Sequence, residues 1–313
     1  RIYDYDRNKG TISIDGLPIQ EINLKELIQV LWLDKFKIIA ITSVFAVLSV
    51  SYALSVTNLY KAEVLLVPAQ SQSGGLSGAL GQIGGLASLA GINISNSGET
   101  SEVKIAIHIA KSWGFISKFV SDNDLDVEVG ALSGWNKETN ELIYNEDIYD
   151  PVSEIWLLEG GPPSDFQLFK YFSGKKEIVE DKMTGLVTIS VDSYSPYLAK
   201  KWLDLFVAEI NLHMQKRKVA EVTRNIEYLE MQLDKNENKE MQRVLYSIIG
   251  EQIKNKMVTE ASPDYVFVPA GPSMLPQEKY YPKRALISIW GTTLGGLLSV
   301  IFFLAKHFLN KRN

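Results

Sequence analysis

Three histidines, His108, His213 and His307, are the residues of this 313-residue chain best suited to acid–base work or metal ligation, and they are scattered. Imidazole holds zinc in company, as in H-E-x-x-H, where two rings share one helical face. That spacing does not occur. His108 sits in "IAIHIAKSW", where a packed or hydrogen-bonded ring is the expected role. Asp122 and Asp124 have the spacing of paired carboxylates, but residues 99–181 hold 17 Asp and Glu against 7 Lys, and such a stretch makes pairs by chance. Gly160-Gly161-Pro162-Pro163 reads as a turn, and no G-x-x-x-x-G-K-S/T phosphate cradle is present. With no cysteine there is no thiol nucleophile, zinc–thiolate site or disulfide framework. The reading is of a chain with no catalytic residue, no cofactor and no metal ligand.

Function must then rest on elements rather than on reactive groups, and the longest uncharged runs show where to look. Residues 38–56 form a run of 19 uncharged positions and residues 285–305 a run of 21. Each is long enough, as a helix, to cross about 30 Å of hydrocarbon. The first is a poor signal peptide, since 37 residues precede it. Trp32 and Tyr60 flank the first run, and Tyr280 and Tyr281 precede the second, where interfacial aromatics belong. Thr42, Ala46, Ser49 and Ala53 make a small-residue face on the first run. Ser288, Thr292, Gly295 and Ser299 do so on the second, with Gly291 and Gly295 as G-x-x-x-G and Gly296 beside them. Small residues let membrane helices approach closely, so these are the expected packing positions. Lys25, Lys35 and Lys37 precede the first span, while Lys61 alone follows it closely. That bias places the N-terminus in the cytoplasm, and a second crossing returns the C-terminus there.

The expected segments are therefore a cytoplasmic stretch over 1–37, with an amphipathic helix over 21–35 leading into the membrane, then a span over 38–56. An extracytoplasmic domain follows over 57–284, then a second span over 285–305 and a cytoplasmic tail over 306–313. Within the domain, "YKAEVLLVP" (60–68) reads as a strand, and "EDKMTGLVTISVDSY" (180–194) as a turn at Thr184-Gly185 feeding an alternating strand with Val187, Ile189 and Val191 on one face. Residues 71–98 are rich in glycine, serine and leucine; they read either as a mobile loop packed within an assembly or as a linker.

A long helical region is expected over 195–260, opened by Ser195 and Pro196. Val219, Val222, Ile226, Leu229 and Leu233 repeat at 3-4-3-4 spacing, a heptad seam. "DKNENK" (234–239) is a weak point, and a second apolar stripe follows at Met241, Val244, Ile248 and Met257, with Leu245 and Ile249 beside it. "DYVFVPA" (264–270) reads as a closing strand. Pro272, Pro276 and Pro282 lack amide hydrogens and fix φ, so residues 268–284 are expected to run extended as a strut. In polyproline-like form it could reach roughly 50 Å, with Lys283 and Arg284 among lipid headgroups. The acidic balance argues against nucleic acid as a partner.

These pieces together resemble one family, the chain-length determinant (Wzz-type) polysaccharide co-polymerases. "EINLKELIQVLWLDKFKII", "YKAEVLLVP", "GGLASLAGI", "NELIYNEDIYDP" and "GLVTISVDSYSPYLAKKWLDLFVAEIN" look like family blocks, and the proline-rich "PSMLPQEKYYPKR" before a glycine-bearing span is the most specific. The resemblance implies an α+β membrane protein of the bacterial inner membrane. Two transmembrane helices would flank a periplasmic α/β membrane-proximal domain with a long projecting helix. It further implies a homo-oligomeric ring that sets polysaccharide length beside a separate polymerase and performs no catalysis, with membrane lipids and the lipid-linked glycan as further candidate contacts. The branch with a fused tyrosine kinase is not expected, since eight residues follow the second span. An adaptor that activates a separately encoded kinase is the alternative reading.

Overall fold

The structure is a computed structural model that describes residues 4–6, 11–14, 17–18, 31–69 and 97–312. The greater parts of the expected 21–35 helix and 71–98 loop lie outside those residues. The chain divides into two compact units, residues 1–57 with 281–313, and residues 58–280.

In the first unit, β1 (Asp4–Asp6), β2 (Thr11–Ile14) and β3 (Leu17–Pro18) form a small antiparallel meander that the sequence reading did not anticipate. Helix α1 (Lys35–Ser55) follows Asp34, whose carboxylate pairs with Lys37 at 2.7 Å, and it ends where Val56 turns extended.

The second unit opens with β4 (Tyr60–Pro68), which alternates cleanly: Ala62, Val64 and Leu66 point inward, Glu63 and Leu65 outward. That period of two marks a sheet buried on one face only. Next come α2 (Ser97–Lys111), α3 (Trp113–Asp122) and α4 (Asp126–Gly130). Two short hairpins follow, β5 (Leu132–Trp135) with β6 (Leu142–Tyr144), and β7 (Tyr149–Asp150) with β8 (Ile155–Trp156). Helix α5 (Asp165–Gly174) begins with a full capping box, in which Ser164 and Gln167 satisfy each other's backbone donors. Strands β9 (Lys176–Glu180) and β10 (Val187–Ser193) meet through a turn in which Gly185 takes φ +71°, a region open to glycine at little cost. Then come α6 (Pro196–Lys235), α7 (Lys239–Glu260) and β11 (Phe267–Pro269). Helix α8 (Arg284–Arg312) closes the first unit.

The main sheet has the order β11-β4-β10-β9, antiparallel throughout. Its inner face meets the first half of α6, which buries Leu198, Trp202, Leu203, Phe206 and Ile210. Phe115, Phe119 and Phe172, from α3 and α5, close round Phe206 with ring centroids 5.5, 5.3 and 5.7 Å away. The fold is thus mixed helix and sheet, with two apolar helices at the ends of the chain and one very long helix between, as the sequence implies.

One local expectation fails. His108 is exposed. Helix α2 buries Val103, Ala106, Ile107 and Ala110, the i, i+3, i+4, i+7 face, and His108 falls off that stripe.

Candidate functional site

The first candidate is the pair α6 and α7. Ser195 precedes Pro196 but makes no side-chain cap bond. Asn236 to Asn238 break the helix where a weak point was expected, and Asn238 Oδ1 caps α7 by accepting from the amides of Glu240 and Met241. Gln242 Nε2 donates to the Asn236 carbonyl at 2.7 Å and holds the tip. At the base, Gln215 Nε2 donates to the carbonyls of Thr259 and Ser262 at 3.0 and 2.9 Å. Helix α7 therefore returns along α6 from the tip to Gln215. At 1.5 Å per residue, the hairpin stands out by about 33 Å.

The seam lies inside this hairpin. Val222 is buried, and Val219, Ile226, Leu229 and Leu233 are half-buried against α7. Gln242, Leu245, Ile249, Gln252, Lys256 and Thr259 answer them at 3-4-3-4-3 spacing and are all buried or half-buried. The stripe read from sequence on α7 is a different one. Met241, Val244 and Ile248 are 47, 53 and 38% exposed, an apolar face that nothing within the chain covers among the described residues, while Met257, 64% exposed, lies half a turn round the helix from it.

The base of the hairpin is anchored by a residue that sequence reasoning missed. Asn211 is fully buried on α6: its Oδ1 accepts from the amides of Val266 and Phe267 at 3.1 and 2.9 Å, and its Nδ2 donates to the Phe267 carbonyl at 2.8 Å. One side chain thus fixes β11 to α6. A second tie runs to α2, where Glu102 accepts from Tyr265 at 3.0 Å and pairs with Lys218 at 3.8 Å. Burial, and then the Glu102 charge, push the Tyr265 phenol far above its ordinary range.

The proline-rich stretch is the second candidate. Residues 271–279 take neither helix nor strand form, and Ala270 and Tyr280 tie their ends to β4 by donating to the carbonyls of Leu65 and Leu59, each at 2.8 Å. Six residues of strand separate those anchors, about 20 Å. This part of the stretch therefore lies along the strand, well short of its full reach. Ser273 ties it to α6 by bonding Lys200 and Asp204. Between the ties an opening of about 380 Å³ remains, lined by Lys61, Glu63, Pro272, Met274 and Pro276. Proline offers no donor to the strand edge, which is why the stretch cannot zip onto it. Pro282 is buried in the other unit, and Lys283 is exposed there while Arg284 is half-buried at the start of α8.

The third candidate is the pairing of α1 with α8. Gly291 lies against Ser49 and Gly295 against Phe45 so closely that an added methyl would collide with either side chain. Gly296 faces Thr42, whose Oγ1 is 3.5 Å from Ser299 Oγ. Ala53, Gly295 and Ser299 are buried, while Ala46, Ser288 and Thr292 are half-buried. Phe45, absent from the sequence-derived set, is the large residue that fills the glycine notch. Both helices have the length and hydropathy of membrane spans.

Residues 20–122 match the family model described as Wzz, chain length determinant protein. The family recognised from the sequence is the family of that model. The matched segment runs through α1, β4, α2 and α3, so it joins the first span to the core of the second unit. Among solved structures, the chain is similar to a full-length bacterial polysaccharide co-polymerase at 14% identity, covering 93% of this chain and 99% of that one, with a TM-score of 0.43. It is also similar to a fragment of WzzB, a polysaccharide co-polymerase from Salmonella Typhimurium, at 14% identity, covering 72% and 100%, with a TM-score of 0.30. Comparison with curated proteins gives no match.

Proposed function

We propose that this chain is a non-enzymatic regulator of bacterial cell-surface polysaccharide length, whether of O-antigen, capsule or exopolysaccharide. It works as an oligomeric periplasmic scaffold beside a separate repeat-unit polymerase. The observation that carries the reading is the chain length determinant match over residues 20–122. Two features support the scaffold. The small-residue packing of α1 on α8 suits a two-span anchor, and the uncovered stripe at Met241, Val244 and Ile248 offers a second copy an apolar helix face. Such faces on a projecting helix are most stable when buried, at about 25 cal/mol for each Å² removed from water. In this arrangement both termini are cytoplasmic, on the strength of Lys25, Lys35 and Lys37 against Lys61.

The test is polysaccharide banding on a gel, from cells with and without the gene. Loss of a preferred length, with polymer still made, is the expected result. An unchanged ladder overturns the proposal.

A further inference from the structure

Several lysines of the second unit are matched by carboxylates. Lys200 pairs with Asp204 at 2.6 Å, Lys201 with Glu128 at 3.1 Å, Lys61 with Glu177 at 3.2 Å and Lys218 with Glu221 at 3.2 Å. Lys175 and Lys176 are half-buried without one, and the exposed Lys111 has none either. None of the three makes an ion pair among the described residues.

Chain geometry puts the first two on the same side of the sheet. Lys176 is paired in register with Val191, which is fully buried, so its side chain follows Val191 toward the helices rather than Glu177 toward the outer face. Lys175 is the C-cap of α5, in helical rather than extended conformation, and this rotation brings its side chain inward as well. Lys175 Nζ lies 5.5 Å from the Tyr194 ring centroid and 5.4 Å from that of Trp202, and Lys176 Nζ lies 5.7 Å from that of Phe206. Trp202 and Phe206 are one turn apart on α6, so the two ammonium groups occupy neighbouring rungs of one helix face. The Phe172 ring lies 5.9 Å from that of Trp202 and 5.7 Å from that of Phe206, centroid to centroid.

We propose that Lys175 and Lys176 form a binding site for one oxyanion of the carboxylate or phosphate class. Half-buried ammonium groups need a counter-charge, and a ring face supplies much less than a carboxylate does. Burial holds Lys175 down at about 8, and burial together with the Lys111 charge holds Lys176 at about 8 as well. A bound anion would reverse that. Among carboxylates the site would take a uronate of an acidic glycan; among phosphates, inorganic phosphate or a lipid-linked phosphate. The anion site itself concerns only the charge balance of this corner of the fold, whereas the choice of glycan uronate and lipid-linked phosphate as ligands rests on the chain-length reading.

Pulse acylation of the full chain in detergent at pH 8, read by peptide mass spectrometry, tests it without any substitution. Inorganic phosphate and glucuronate are the probes, glucose the neutral control, and the exposed Lys137 and Lys170 the internal standards. The expected result is a several-fold fall in labelling of Lys175 and Lys176 with at least one anion, unchanged labelling at the standards, and no effect of glucose. Protection by glucuronate alone identifies a sugar acid as the ligand class, and protection by phosphate alone a phosphate. Labelling unchanged by both anions overturns the site. The variant with Lys175→Met and Lys176→Met keeps the apolar stems and provides a second reading. It should unfold at a higher temperature than the wild type at pH 7, and added anion should no longer raise that temperature. A variant that is less stable and still stabilised by anion contradicts the proposal.

Discussion

Asn211 uses both ends of its amide on β11, so its loss orphans two buried amides and one carbonyl at a stroke. Each buried group left without a partner costs about 1–3 kcal/mol, and Asn211→Leu, which orphans three, should therefore lower stability by at least roughly 3 kcal/mol in denaturant titrations of the full chain. A change within about 0.5 kcal/mol, the ordinary scatter of surface substitutions, would show that water replaces the amide. No local pattern announces this residue, because its partners lie 55 and 56 positions away. His108 fails for the opposite reason: its apolar neighbours are local, but the helix turns them to another face. Lys175 yields a pH prediction whose sign follows from linkage. Its folded-state value of about 8 lies below the ordinary 10.5, so between those limits the folded chain binds fewer protons than the unfolded one. Stability contributed by this group must then rise as pH rises through that window, because the desolvated charge is relieved in the folded state. The stability difference between the wild type and Lys175→Met should grow in favour of the wild type from pH 8 to pH 10. A difference that stays flat would mean that Lys175 keeps its ordinary proton affinity.

At the scale of elements, the heptad seam was legible and its partner was not. Val219, Val222, Ile226, Leu229 and Leu233 have the spacing of a seam whether the facing helix comes from the same chain or another. Two stripes compete for them on α7, and the more apolar one, Met241, Val244 and Ile248, is left outside. Polar hydrogen bonds decide the matter: Gln242 to Asn236 at the tip, and Gln215 to the carbonyls that end α7, rotate the helix so that Leu245 and Ile249 face α6. Leu229→Asp should accordingly weaken the hairpin of a single chain. Losing one such contact is worth about 1.5–3 kcal/mol, and faster proteolysis within residues 236–238 is the measure. Cleavage at the wild-type rate would mean that α7 does not rest on this seam. The small-residue faces were legible in the two spans, but Phe45 was not, since its place depends on the notch at Gly295 in a helix some 250 residues on. The absence of native cysteine permits a clean test. Thr42→Cys with Ser299→Cys should form an intrachain disulfide under oxidation, and adding Gly295→Leu should abolish it. Cross-linking that survives the leucine would contradict close packing at that notch.

For the molecule as a whole, the two apolar helices, the sheet strands and the long helical region could all be read from apolar runs, alternation and caps, because each depends on neighbours close in sequence. The order β11-β4-β10-β9 could not, because it joins strands up to about 200 residues apart. Orientation follows from the Lys bias across the first span: reporter fusions near residues 15 and 310 should read cytoplasmic, and one near residue 135 periplasmic. A cytoplasmic signal at 135 would reverse the proposed topology. The proposed scaffold is built from copies of this chain joined through the outer face of α7, and it sets polysaccharide length. The direct measurement is the polysaccharide ladder from cells whose only copy carries Met241→Ser, Val244→Ser and Ile248→Ser, positions that leave the α6–α7 seam intact. With membrane insertion and protein level unchanged, the account predicts that the preferred length is lost and the ladder decays smoothly. A wild-type ladder from that variant would contradict it.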